Sequence, residues 1–120
     1  MAREERSHVR ISQEARDCIE AASATYTVSA ETFNYCLAGD SRLRDPRQLR
    51  LLMDCCEVCQ TAQNSLLRGS EVSTMLAAVC VEACEQLAES CRALDGSDDQ
   101  LIRCAEQCDE AANCCRKLAI

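Results

Sequence analysis

Two stretches in the C-terminal half carry the same cysteine spacing: Cys80, Cys84 and Cys91 in one, Cys104, Cys108 and Cys115 in the other. Offsets of four and then seven residues are close to whole turns, so on a helix each set returns to one face. Each segment therefore points three thiols the same way. Helical positions four apart hold their Cβ atoms about 5 to 6 Å apart, whereas a disulfide needs roughly 3.8 Å. Two metal–thiolate bonds of about 2.3 Å place collinear sulfurs roughly 4.5 Å apart, so the spacing favours a bridging metal over a disulfide.

The rest of the chain follows the same geometry. Ile11, Ala15, Cys18, Ala22, Thr25, Ser29, Thr32 and Cys36 advance in alternating steps of four and three, the seam of a helix packed in a left-handed bundle. Gln48, Leu52, Cys55, Cys59, Ala62 and Leu66 form a second seam. Ser73, Ala77, Cys80, Cys84, Leu87, Cys91 and Leu94 form a third, and Leu101, Cys104, Cys108, Ala111, Cys115 and Leu118 a fourth. Asp45-Pro46 starts a helix and Gly69 stops one. Ser70 can cap the third helix, and Ser97 with Gln100 makes a capping box for the fourth. These signals predict helices over about 5–37, 46–68, 71–94 and 98–119. The expected fold class is all-α, an antiparallel up-down-up-down four-helix bundle, with 1–120 as a single domain.

Only three aromatic rings are present, Tyr26, Phe33 and Tyr35, so Leu, Ala, Val and Cys must fill the core. The rings lie off the small-residue seam and read as packing or interface residues. A second apolar stripe (Leu49, Met53 and Cys56, with Val72, Met75, Leu76, Val79 and Ala83) is either a wide core face or an oligomer surface.

A net charge of -7 argues against nucleic acid as a partner. No apolar run approaches a membrane span, and Met-Ala-Arg-Glu-Glu-Arg-Ser-His leads into no signal core, so the expectation is a cytoplasmic protein. Twelve cysteines in a reducing compartment then read as metal-binding or redox-active rather than as a disulfide scaffold. Ten lie on the seams: Cys18, Cys36, Cys55, Cys59, Cys80, Cys84, Cys91, Cys104, Cys108 and Cys115; Cys56 and Cys114 stand one residue off.

Thiolate softness selects Cu(I) or zinc among common ions. A row of sulfurs along helices suits several Cu(I) ions of low coordination number better than one tetrahedral zinc, and at two sulfurs per ion ten thiols hold about five. The tight spacings of iron–sulfur ferredoxins are absent. Thiols that merely pack, or that oxidise in a redox-responsive module, are the alternative. Enzyme signatures are lacking; the single histidine, His8, precedes the first seam and no Cys–His nucleophile can be assembled from it.

Cys80-Val-Glu-Ala-Cys84 through Cys91, then Cys104-Ala-Glu-Gln-Cys108 through Cys115-Arg-Lys-Leu-Ala, resembles the C-terminal half of the bacterial cytosolic copper storage proteins. The resemblance implies a cysteine-lined four-helix bundle that stores many Cu(I) ions without catalysis, commonly as a tetramer. Cys18 and Cys36 match the ends of that family's first cysteine row, and Cys55 and Cys59 match its second. Ala22, Thr25, Ser29 and Thr32 stand where dense members carry further cysteines, as do Leu87, Leu101 and Ala111. The resemblance thus implies a lower capacity, with copper gathered along the second to fourth helices.

Overall fold

The computed structural model describes residues 11–119, which form four helices: α1 (Gln13–Ala38), α2 (Pro46–Leu67), α3 (Ser73–Leu94) and α4 (Asp99–Arg116). Each packs against its neighbours in sequence and α4 closes back on α1, while the diagonal pairs α1–α3 and α2–α4 make no backbone approach. The architecture is the all-α, up-down-up-down bundle that the spacing of the seams predicts. His8 and residues 5–10 of the expected first helix lie outside the described residues.

The helix ends follow from local chemistry, and three of them differ from the sequence reading. Ser12 is extended and its hydroxyl accepts the Ala15 N–H at 3.1 Å, so α1 begins at Gln13 and Ile11 precedes the cap. At α3 the Ser70 hydroxyl accepts the Val72 N–H at 3.3 Å, which shapes a turn, and the helix itself starts at Ser73 without a side-chain cap. At α4 the cap is Asp98, whose carboxylate accepts the Leu101 N–H at 3.0 Å. Ser97 instead donates to Asp95 at 2.8 Å, and Gln100 reaches across to the Thr32 hydroxyl at 2.9 Å, so no capping box forms. A carboxylate at this position also faces the positive end of the helix dipole.

The Asp45-Pro46 start and the Gly69 stop are as read. The Asp45 carboxylate accepts the Gln48 N–H at 3.0 Å. Gly69, at φ 64, carries the left-handed turn that lets Gly69 N–H reach Leu66 O at 3.2 Å and Ser70 N–H reach Ser65 O at 3.0 Å, closing α2.

Leu52, Leu87 and Leu101 are the largest apolar side chains buried in full, each worth about 1.5–3 kcal/mol of burial. Around them the core is built from Ala and Cys, which keeps the helices close. The α1–α4 wall is polar: Thr25 donates to Ala21 O at 2.7 Å and accepts from Gln107 at 3.2 Å, while Thr32 donates to Val28 O at 2.6 Å. Among the described residues four ion pairs, including Arg42–Asp95 at 3.2 Å between the loops at one end, lie on the surface and add little. Of the second apolar stripe, Met53, Val72, Met75 and Val79 are exposed, Leu49 and Leu76 are half-buried against the core, and Cys56 turns inward. The stripe is a surface.

Candidate metal centre

The ten seam cysteines are all 0 % exposed, and all twelve cysteines carry free thiols. Cys56 sits at the rim, its thiol donating to Tyr26 O at 3.7 Å, and Cys114 is half-buried. A step of one residue off the seam rotates a side chain about 100° around the helix, which is why these two leave the axis.

The register of α2 against α3 decides which sulfurs meet. Cys55 Sγ lies 3.9 Å from Cys84 Sγ and Cys59 Sγ 3.7 Å from Cys80 Sγ across the helix pair, while Cys55 and Cys59 stand 3.9 Å apart along α2. Cys108 of α4 reaches the same place. Two triads result, Cys55–Cys84–Cys108 and Cys59–Cys80–Cys84, in each of which all sulfurs lie within 4.8 Å of one another. Cys84 belongs to both. Three helices thus deliver five sulfurs to one point on the axis, and α1 delivers none; its facing residues Ala22, Thr25 and Ser29 are equally buried.

One edge of each triad, 3.9 Å for Cys55–Cys84 and 3.7 Å for Cys59–Cys80, matches the edge of about 4 Å expected when three sulfurs surround one ion at about 2.3 Å, and the other edges lie within 4.8 Å. They are far longer than the roughly 2.05 Å of a disulfide. The triads are therefore preformed for a three-coordinate soft ion.

Outside the centre, Cys18 and Cys115 pair at the end where Cys80 also lies, and Cys91 pairs with Cys104 toward the other. Cys36 shares no hydrogen bond with another thiol and interacts with Cys104 and Cys91 only through charge. The same α2–α3 register sets Leu52 across from Leu87, an apolar layer between the triads and the Cys91 end. Gln48, on the second seam but not among the predicted ligands, donates to Cys91 Sγ at 3.3 Å.

The thiols form a chain of alternating acceptors and donors. Cys55 is held below the ordinary thiol range chiefly by its hydrogen bond with Cys108, then by Cys59 and Cys84. Cys104 is held down to about 4, by Cys108 first and Cys91 second. Their partners are pushed up: Cys59 by Cys55, Cys84 by Cys108, Cys91 by Cys104 and Cys115 by Cys18. One sulfur of each neighbouring set is favoured as the acceptor, and a second bare thiolate beside it is disfavoured.

Cys36 and Cys56 stand apart from this chain, and burial pushes each up to about 11. A thiol that ionises near 9 in the unfolded chain and near 11 in the folded one stabilises the fold fully below pH 9. That contribution is lost as pH rises from about 9 through about 11. The urea midpoint of the metal-free, reduced protein is expected to fall across this window, and Cys36→Ala with Cys56→Ala should make the fall shallower by the share of two thiols, the other raised thiols keeping the rest. A midpoint that holds steady to pH 11 would contradict the burial of these thiols.

No Lys or Arg is buried among the described residues; the buried polar groups are Thr25, Ser29, Thr32, Gln48, Ser65 and Ser90. No helix among them is long and apolar enough to cross a membrane. A four-helix bundle whose axis is a row of free thiols, with no buried Lys or Arg beside them among the described residues, is a bundle built to take up soft metal ions.

The comparisons with known proteins place it further. The copper storage protein family matches residues 11–120, and the chain belongs to that family. A crystal structure of a protein from Nitrosospira multiformis superposes with a TM-score of 0.81 at 34% identity, covering 89% of this chain and 95% of that one. The Cu(I)-bound copper storage protein BsCsp3 superposes with a TM-score of 0.83 at 26% identity, covering 90% of this chain and 100% of that one. No curated protein matches the chain significantly.

Proposed function

We propose that this protein takes up several Cu(I) ions along the bundle axis and stores or buffers them, with Cys18, Cys36, Cys55, Cys59, Cys80, Cys84, Cys91, Cys104, Cys108 and Cys115 as the ligands. The observation that carries this reading is the pair of interlocked triads sharing Cys84, fully buried and with no buried Lys or Arg beside them among the described residues. Placing uncompensated charge in such a core costs several kcal/mol. Replacing each thiol proton by one monovalent ion leaves the charge of the core unchanged, and an ion taken up by a sulfur already held as a thiolate reduces it. Sulfur softness, and a row of sulfurs that suits ions of low coordination number, favour Cu(I) over zinc, and loading releases protons.

Membership of the copper storage family and the likeness to Cu(I)-bound BsCsp3 support the same conclusion. Storage without catalysis, in the cytoplasm, by a chain that folds over 1–120 as one domain, completes the proposal. The exposed stripe of Met53, Val72, Met75 and Val79, with exposed Tyr26 and Tyr35, supports assembly of copies, for which the resemblance implies a tetramer.

Anaerobic titration of the reduced protein with Cu(I) against a competing chelator tests the central claim. At least two tight equivalents per chain are expected, one for each triad, and more as the outer thiols fill. Fewer than two would reject storage.

A further inference from the structure

Gln48 is the only fully buried carboxamide among the described residues. Its Nε2 donates to Cys91 Sγ at 3.3 Å, and Ser90 donates its hydroxyl to Gln48 Oε1. An apolar side chain would fill this seam position without desolvating an amide, which is costly unless both ends of the amide are bonded. Both ends are.

The unit has two complementary arrangements. A sulfur that carries a metal ion only accepts, and the observed orientation supplies it with an N–H while Ser90 satisfies the carbonyl. A sulfur that carries a proton can donate, and turning the amide over lets S–H meet Oε1 and Nε2 meet the Ser90 oxygen, since the hydroxyl serves as donor or acceptor. Gln48 thus keeps every polar group at this end bonded in the empty and in the loaded core. Leucine, the residue one seam step away at Leu52, satisfies neither.

Resting on the Cu(I) reading above, we propose that Gln48 is a positioning residue for copper: its N–H···S bond, anchored by Ser90, holds Cys91 as a ligand beyond the Leu52–Leu87 layer. It does not touch the ion. It acts through the Cys91 sulfur, as hydrogen bonds to metal ligands do elsewhere.

The test compares the reduced, Cu(I)-loaded full chain with Gln48→Leu, Ser90→Ala, Cys91→Ser and the Gln48→Leu/Cys91→Ser double variant, by chelator competition. Gln48→Leu is expected to weaken one class of ion about ten-fold or more, the size expected for a lost bond to a charged group, and to leave the triad ions unchanged. Ser90→Ala, which preserves the packing of Gln48, should weaken the same class by a smaller factor. In the Cys91→Ser background Gln48→Leu should add nothing. The Gln48 side-chain amide resonance of the wild type should shift on loading, and Cys91→Ser should remove the shift. Equal weakening of all ions, full additivity in the Cys91→Ser background, or a lowered melting temperature with unchanged copper affinity would overturn the role. A wild type that binds fewer than two tight equivalents overturns the storage reading and this role together, whereas normal wild-type loading with an unaffected Gln48→Leu overturns only the role.

Discussion

Replacing Cys55, Cys59, Cys80 and Cys84 together by Ser should remove at least half of the tightly held Cu(I) while leaving the helix content nearly unchanged. The four residues supply every sulfur of the two triads except that of Cys108, so no three-sulfur site survives at the centre. What remains are Cys104 between Cys108 and Cys91, the Cys18–Cys115 pair and Cys36. The fold should tolerate the change because the bundle already holds buried hydroxyls: Thr25 and Thr32 donate to the carbonyls of Ala21 and Val28, four residues back, at 2.7 and 2.6 Å, and Ser29 and Ser65 are buried without a partner. Chelator competition and circular dichroism on the same preparation measure both halves of the expectation. Cys84→Ser alone should give an intermediate loss, since it reduces both triads to pairs. A quadruple variant that keeps its copper at wild-type affinity would move the ligands to the outer thiols.

The bundle was legible because one rule, alternating steps of four and three, recurs on all four segments, and steps of that kind leave a helix only one face to bury. The same rule separated the ten cysteines that lie at 0 % exposure from Cys56 and Cys114 at the rim. The helix ends were less legible, because two good caps stand side by side at the start of α4. Asp98 takes the role, and Ser97 is drawn to the Asp95 carboxylate two residues earlier. A linear pattern contains neither preference.

Which sulfurs meet was not legible at all. That depends on the register of α2 against α3 and on how deeply α4 sits, quantities fixed by packing across helices and not by spacing along one of them. The seam thus gave ten equivalent candidates, where the structure has a five-sulfur centre, outer pairs and a Cys36 that shares no hydrogen bond with another thiol. Gln48 illustrates the same limit. It was readable as a polar residue on an apolar seam, but its meaning lies in Cys91 and Ser90, over forty positions away in the chain and on another helix.

Loading with Cu(I) is expected to raise the thermal midpoint of the reduced protein by more than about 20 °C. An ion that binds the folded chain alone stabilises it by about 4 kcal/mol when free ion stands a thousand-fold above its dissociation constant. Two such ions give about 8 kcal/mol, and each kcal/mol moves the midpoint of a domain of this size by roughly 3 to 5 °C. Cysteines of the unfolded chain also bind copper and reduce the shift, but they lack the preformed triads. The gain should be uneven along the chain: the triads join α2, α3 and α4, whereas the middle of α1 offers Ala22, Thr25, Ser29 and Thr32 and no thiol. Hydrogen exchange should accordingly show the smallest increase in amide protection between Ala22 and Thr32. A midpoint that does not move although copper is bound would mean that the ions sit on sulfurs the unfolded chain presents equally well, and the preformed centre would not be the store.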